Sequence, residues 1–281
     1  FEAQTSHTLT LSFGASGELR KVMSQMDAGD MSKVGMALDV AMYSSMAIIT
    51  VVLGFVVFFY CLGALYDDRR DRSVLFWKSM PISDTQTVLS KLVGALVIAP
   101  LLAVVAAIIT MIGFMIMISL VVLFHGGNPL TLIWASSNPF SIAASHLAWI
   151  PVYALWAMPT AGWLLLCSAW ARSKPFLWAV MLPVFAGVIV SWFDVMKLFG
   201  LNSGWFWGHV VSRLLLSATP GIELAYRSPT PTGESVKSML NGFSPSVQLA
   251  GLANPELWVG VVVGAVFIAA AIWLRQRRDD T

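Results

Sequence analysis

The feature that most constrains this chain is the uncharged segment 41–65, AMYSSMAIITVVLGFVVFFYCLGAL. An α-helix rises about 1.5 Å per residue, so a helix of this length covers the ~30 Å hydrocarbon layer of a bilayer. Backbone polar groups find no water at that depth, and a helix satisfies them within the segment itself. The segment therefore predicts a transmembrane α-helix.

The rest of the chain repeats this pattern. Of its 281 residues, 57% are hydrophobic and only 11% are charged, whereas soluble domains carry roughly 25% charged residues. The apolar residues fall into five long runs, which are the predicted spans: 41–65, 92–124, 144–170, 175–193 and 255–274. The sequence predicts an all-α integral membrane protein with a single transmembrane domain, 1–281.

Prolines predict irregularities inside two spans. The segment 92–124 is longer than a bilayer requires, so we expect it to tilt, to kink at Pro100 or to project from the membrane. Pro151 and Pro159 predict kinks in 144–170, where neighbouring helices can satisfy the freed carbonyl groups.

The distribution of Lys and Arg predicts the orientation. One set of alternating connectors consists of 66–91, 171–174 and 275–281, and it contains ten Lys and Arg residues. The other set consists of 1–40, 125–143 and 195–254. It is more than three times as long and contains only seven Lys and Arg residues. The first set, with the C-terminus, is therefore predicted to be cytoplasmic, and 1–40 extracytoplasmic.

An extracytoplasmic start is unusual for a chain with no signal sequence. The first residue is Phe1, and no basic region followed by an apolar region comes after it. We expect one further span before Phe1, which would give six spans with both ends in the cytoplasm.

The connector 66–91 is the most informative segment outside the spans. It opens with charges of both signs, continues with an apolar cluster, and then places Gln86 three residues after Ser83. That spacing predicts a capping box at the start of the helix that becomes the second span. The connector reads either as an amphipathic helix on the membrane surface or as a docking element whose Phe76 and Trp77 fill a groove in a partner.

The connector also resembles the first cytoplasmic loop of type-2 ABC exporter permeases. In that family the loop has an acidic and basic stretch, an apolar stretch, a short turn of the form (L/M)P(V/I)S, and a Lys before the next span. The corresponding residues are Asp67–Arg72, Val74–Trp77, Met80–Ser83 and Lys91. The last span resembles the family's last span in its Trp258–Gly260 start and basic end. The resemblance covers roughly 41–281.

The resemblance implies a permease subunit that pairs with a second chain, as a homodimer or a close heterodimer. Each chain would dock a cytoplasmic ATPase, two copies in all, in a bacterial cytoplasmic (inner) membrane. Because the sequence has no GxxxxGK[ST] loop, ATP and Mg would bind to the ATPase, and this chain would bind no cofactor and be no enzyme by itself. A net charge of +2 gives no case for nucleic acid.

The resemblance also implies roles for individual residues. It assigns coupling to the ATPase to six of them: Asp68, Arg69, Arg72, Phe76, Trp77 and Lys78. It places the spans 41–65 and 175–193 along the dimer interface and the translocation path, with Gly54, Phe55, Phe58 and Gly187. The glycines would permit close approach of helices, although ordinary packing explains them equally well.

The segment 195–254 is too apolar for a simple loop. It contains a Trp-Phe-Trp sequence at 205–207 and three leucines at 214–216. Members of the family place short re-entrant helices here, on the outer side. A helix lying flat in the outer interface is an equal alternative.

Other chemistry has little support in the sequence. His146 and Asp194 stand near span ends, where polar groups reach water and headgroups. Cys61 and Cys167 lie in apolar runs, which favours buried thiols. No HExxH or GxSxG motif is present, so we predict no catalytic residue and no metal site.

These absences leave two hypotheses for function. The first is an exporter, whose sparsely charged path would suit an amphipathic or hydrophobic substrate such as a peptide, a toxin or a lipid-like molecule. The alternative is a membrane protein without a transport role, either an enzyme or an assembly factor.

Overall fold

The computed structural model describes residues 28–70, 83–197, 200, 202–222 and 243–277, and every regular element in those ranges is helical. The longer helices are α1 (Ala28–Gly63), α3 (Asp84–Phe124), α4 (Pro139–Trp156), α6 (Pro175–Val195) and α9 (Pro255–Arg277). The shorter ones are α2 (Tyr66–Arg70), α5 (Met158–Trp170), α7 (203–215) and α8 (Pro245–Ala250).

Four helices in the described ranges are long and apolar enough to cross a membrane: α1, α3, α6 and α9. The pair α4 and α5 passes the same test together, with a 50° bend between them, which gives up to five spans. The outward faces of the long helices carry large apolar side chains, as lipid-facing surfaces do. The prediction of a multi-pass helical membrane protein is confirmed at this level.

The helix that contains the predicted span 41–65 already includes Ala28, the first residue that the structure describes. Its two early charges neutralise each other, because Lys33 Nζ lies 3.0 Å from Asp30 Oδ1 one turn away. Met31 and Leu38 of α1 pack against a buried cluster that α1 forms together with α3. Helix formation therefore continues through a stretch that the predicted span excluded on polarity.

α3 begins where the sequence predicted. The Ser83 hydroxyl accepts a hydrogen bond from Gln86 N at 3.2 Å, and Gln86 Oε1 accepts one from Ser83 N at 3.1 Å, so the capping box is confirmed. Further along, Gly94–Ile98 is π-helical, immediately before Pro100. A proline removes one backbone donor and crowds the preceding turn, and a π-helical turn is a common way to absorb that disruption.

The bend in the predicted third span lies at one proline rather than two. α4 continues through Pro151, and the helix breaks at Ala157, just before Pro159 in the first turn of α5. A proline is well tolerated in the first turn of a helix, where its missing N–H would have no intrahelical partner, so a break at Ala157 accommodates Pro159. Pro175 opens α6, as predicted.

α5 lies at the centre of the bundle, with side chains such as Leu164 and Leu165 fully buried. α9 approaches it closely, because a Cβ added to Gly162 would lie 2.7 Å from Gly264 O. A second, methionine-rich cluster fills the space between α1 and α3 and contains Met42, Met46, Met111 and Met115. The membrane domain therefore has one closely packed helix pair and one contact made of flexible side chains.

Candidate functional site

The two described ends of the connector 66–91 meet at one end of the bundle, here called the connector end. Four charged side chains cluster there, which we call the connector clamp: Asp68, Asp84, Lys91 and Arg275. Arg275 Nε donates to Asp84 Oδ1 at 2.9 Å, and Arg275 Nη1 lies 3.8 Å from Asp68 Oδ2. Lys91 Nζ lies 3.3 Å from Asp68 Oδ1. The last turn of α9 thus joins the helices on both sides of the connector.

The connector clamp is balanced in charge and partly shielded from solvent, with exposed fractions of 29% for Lys91 and 26% for Asp84. The exposed fraction is 11% for the Arg275 side chain and 15% for Asp68. Buried charges are stable only when they are paired and hydrogen-bonded. Its two cations and two carboxylates therefore fix the position of three chain segments relative to one another.

Arg69 and Ser168 fix the turn between α1 and α2 onto the end of α5. The Ser168 hydroxyl accepts hydrogen bonds from Leu65 N at 3.0 Å and Tyr66 N at 2.9 Å. Arg69 donates to the carbonyl groups of Ser168 and Ala171, the latter at 3.1 Å. The last carbonyls of a helix lack intrahelical partners, so the guanidinium caps α5 while it holds the turn.

The six predicted coupling residues are therefore split by the structure. Asp68 and Arg69 make internal contacts and position the base of the connector. Arg72, Phe76, Trp77 and Lys78 lie outside the described residues. Their contact with an ATPase stays a prediction.

The two glycines predicted for close helix approach both contact segment 202–222 of the same chain. A Cβ on Gly54 would lie 3.1 Å from Pro220 Cδ, and one on Gly187 would lie 2.8 Å from the Trp207 ring. Trp207 Nε1 also donates to the Ser191 hydroxyl at 2.9 Å. The close approach is thus satisfied within the chain, and a role of these helices in a dimer stays a prediction.

The two predicted phenylalanines of α1 differ in burial. Phe55 is exposed, whereas Phe58 is partly buried against the core. Phe58 meets Phe176 of α6 edge to face, with ring centroids 6.4 Å apart. This contact brings the predicted interface helices α1 and α6 side by side.

Segment 202–222 packs into the bundle through two buried hydrogen bonds. Tyr153 Oη donates to Ala218 O at 2.8 Å, and Thr160 Oγ1 donates to Arg213 O at 2.8 Å. Arg213 is itself buried, and its guanidinium lies 3.8 Å from the centroid of the Trp156 ring. The segment therefore contacts both α4 and α5, on either side of their bend.

The other candidate residues from the sequence have local structural contacts. Asp194 accepts a hydrogen bond from Ser203 N at 3.1 Å, which connects α6 to the start of α7. His146 stacks on Tyr43, with ring centroids 5.7 Å apart. Cys61 and Cys167 are buried free thiols, as predicted. Within the described ranges, no group of three or more His, Cys, Asp or Glu side chains could hold a metal ion.

Two cavities lie toward the end of the bundle opposite the connector. One, of about 400 Å³, lies between α1, α4 and segment 202–222, and its wall includes Ser44, Thr50 and Trp149. The other, of about 520 Å³, lies between α5, α7 and α9. Both volumes fall in the range of roughly 300–1,000 Å³ that is typical of small-molecule sites.

Sequence reasoning missed two arginines that organise these regions. Arg275 was interpreted only as part of the basic end of the last span, and its pairing with Asp84 joins positions 191 residues apart. Arg213 was counted only as one of the basic residues of its segment. A single arginine inside the apolar run VVSRLLLS is a usable signal, because an intramembrane charge is functional by default.

Comparison with protein-family models, curated proteins and solved structures found no match for this chain.

Proposed function

We propose that this chain is the transmembrane permease subunit of an ATP-driven type-2 ABC exporter in a bacterial cytoplasmic membrane. In this proposal the connector end is cytoplasmic. The chain pairs with a second permease chain, and each copy docks one ATPase through the connector 66–91. The observation that carries the proposal is the connector clamp.

A docking loop can move membrane helices only if it is attached to them rigidly. The connector clamp supplies that attachment, because Arg275 joins α9 to Asp68 before the connector and to Asp84 after it. Arg69 and Ser168 extend the attachment to α5. A displacement of the connector would therefore move α3, α5 and α9 together, as coupling of an ATPase to the membrane helices requires.

In this proposal, segment 202–222 is a re-entrant element that closes the outer end of the pathway. Its buried contacts with Tyr153 and Thr160 support this over a helix lying flat on the surface. Asp194 and Ser191, near the end of α6, bind the first residues of the segment. A movement of α6 would therefore be transmitted directly to segment 202–222.

The proposed substrate is amphipathic or hydrophobic. The cavity of about 400 Å³ combines aromatic and apolar side chains with a few hydroxyl groups, and it faces α1. Such a site suits a molecule that needs few polar contacts. If the ATPase activity of the reconstituted complex rose only with small hydrophilic solutes, and not with hydrophobic peptides or lipids, this substrate class would be wrong.

Co-purification tests the docking of an ATPase. We expect the full-length chain, isolated in mild detergent, to retain an ATPase subunit that carries a Walker motif. The double substitution of Arg72→Ala and Trp77→Ala should abolish this retention and leave the helical content unchanged, because both residues lie in the proposed docking element. Circular dichroism and a pull-down measure the two outcomes.

The other basic turn at the same end of the bundle provides a matched control. Trp170→Ala combined with Arg172→Ala removes one tryptophan and one arginine from the residues around 171–174. This variant should retain the ATPase. Retention by both double variants would show that the connector is not the docking element, and no ATPase with the native chain would favour a membrane protein without a transport role.

A further inference from the structure

The cavity between α5, α7 and α9 has properties that the proposed transport role does not use. We call it the α7–α9 groove. Its inner wall is apolar and includes Val263 and Phe267 of α9 and Leu214 of α7. Val259, on its edge, is 66% exposed, so the groove opens on the outer surface of the bundle. With α9 spanning a membrane, a ligand would enter the groove from the bilayer.

Polar side chains enter the groove from one face of α7. Trp205, His209 and Arg213 follow one another at intervals of four residues, which places them on one side of a helix. The Trp205 and His209 rings stack, with centroids 5.2 Å apart. This face meets the first turns of α9.

Arg213 is held at a fixed depth in the groove. Arg213 is only 8% exposed, and its Nη2 donates a hydrogen bond to Glu256 O at 3.1 Å. The guanidinium covers the Trp156 ring and occupies the space beside Gly260, where any Cβ would collide with it. Gly260 is five residues into α9, so this cation lies about 7 Å inward from the first residue of the helix.

The opposite charge lies further out. The Glu256 side chain lines the rim of the groove, and its Oε1 lies 3.7 Å from His209 Nε2. From the middle of the bundle outward, the groove therefore presents an apolar wall, then a cation, then a carboxylate. A phospholipid with a zwitterionic headgroup has the complementary order of an alkyl chain, a phosphate and an ammonium group.

We propose that the α7–α9 groove binds a zwitterionic phospholipid with a primary ammonium group, from the leaflet at the Pro255 end of α9. The phosphate meets Arg213, the ammonium group meets Glu256, and one alkyl chain lies against Val263 and Phe267. Charge-assisted hydrogen bonds from a guanidinium to phosphate are among the strong ones. The inference does not depend on the permease role, only on α7 and α9 lying in the membrane.

Photocrosslinking of the full-length chain in lipid nanodiscs tests this binding. Phosphatidylethanolamine with a diazirine in one acyl chain should label peptides from 203–214 and 255–267 more than phosphatidylglycerol with the same chains. We expect a ratio of about 2 to 5, the effect of one solvent-accessible ion pair. A diazirine fatty acid provides an anion without the ammonium group and should label no better than phosphatidylglycerol.

Three variants make the outcome specific. Glu256→Gln should bring the ratio of the two phospholipids down to about 1, since it removes only the ammonium partner. Val263→Trp should fill the groove and suppress labelling by both lipids, whereas Val262→Trp, on the neighbouring exposed position, should leave it unchanged. Equal labelling of the native chain by both phospholipids, or undiminished labelling of Val263→Trp, would overturn the proposal.

Discussion

Arg275 is the single residue on which the geometry of the connector end depends most. It contacts carboxylates on both sides of the connector, at Asp68 and Asp84, and only 11% of its side chain is exposed. Removing Arg275 takes one ion-pair partner from each carboxylate, although Asp68 keeps Lys91. The contribution of Arg275 is therefore positional, since it determines how far apart the ends of the connector lie.

Arg275→Gln should loosen the connector without unfolding the bundle. The loss of a hydrogen bond to a charged group costs about 1–3 kcal/mol, and here the cost falls on local opening of the turn before α3. Hydrogen exchange measured by mass spectrometry should become faster in peptides from 66–91, while peptides from the centre of α9 keep their protection.

Arg277→Gln is the matched control on the same helix turn. Arg277 is exposed and its guanidinium lies 4.4 Å from the centroid of the Trp273 ring, away from the connector clamp. This variant should exchange like the native chain. Equal acceleration in both variants would mean that general positive charge, rather than the ion pairs of Arg275, holds the connector.

The sequence predicts local features of residues better than their distant partners. The capping box of Ser83 and Gln86 follows from residues three positions apart, and the structure confirms it. The pairing of Arg275 with Asp84 depends on how α9 packs beside α3, which no local spacing encodes. The sequence indicates that the last span ends in basic residues, but it does not indicate that Asp84 is the partner of one of them.

At the scale of elements, α5 and α9 pack backbone to backbone through glycines. A Cβ added to Gly264 would lie 2.7 Å from the backbone of Met158. Gly260 and Gly264 are four residues apart, which is the GxxxG spacing that lets two membrane helices approach closely. No side chain can replace the Gly264 hydrogen unless α5 and α9 separate, whereas a side chain at Gly260 would first meet the Arg213 guanidinium of α7.

Gly264→Ala should therefore destabilise the protein. Overpacking costs about 1–3 kcal/mol, which corresponds to a fall in Tm of roughly 2–4 °C for each kcal/mol in a chain of this size. Thermal unfolding in detergent, followed by loss of the monodisperse peak in size-exclusion chromatography, measures the effect.

Gly113→Ala makes the same substitution where the structure has room. Nothing lies within 4 Å of a Cβ built at Gly113 on α3, so this variant should keep the native Tm. Alanine has the higher helix propensity, so a fall of similar size in both variants would show that the loss at Gly264 is not specific to the contact between α5 and α9.

Element boundaries show where sequence patterns are informative. The ends of α6 and α9 were predicted within a few residues, because hydrophobicity changes sharply there. A bend at Pro159 was predicted and is confirmed, but the second one predicted at Pro151 is absent, and the helical residues before the predicted span 41–65 depend on packing around Met31. Tertiary contacts decide these two differences.

At the scale of the whole molecule, the exposed apolar face of α1 can meet lipid or a second chain. Phe55 projects from this face with 63% of its surface exposed. The proposed permease uses α1 and α6 as a dimer interface, and these two helices adjoin at Phe58 and Phe176. The proposal therefore predicts a symmetric contact across α1.

Cysteine crosslinking in membranes tests this contact. Phe55→Cys should form a disulfide-linked dimer on mild oxidation, because a symmetric interface brings equivalent positions together. Native Cys61 and Cys167 are buried, so the background should be low. Ile109→Cys on α3, 64% exposed in the native chain, should remain monomeric. Crosslinking at Ile109 alone would place the interface on α3.

The methionine cluster between α1 and α3 has a mechanical consequence. Unbranched thioether side chains such as those of Met42, Met46, Met111 and Met115 change rotamer easily and refill space after a shift. The glycine contact between α5 and α9 has no such freedom. A displacement of the connector would therefore change the packing between α1 and α3 more readily than the packing between α5 and α9.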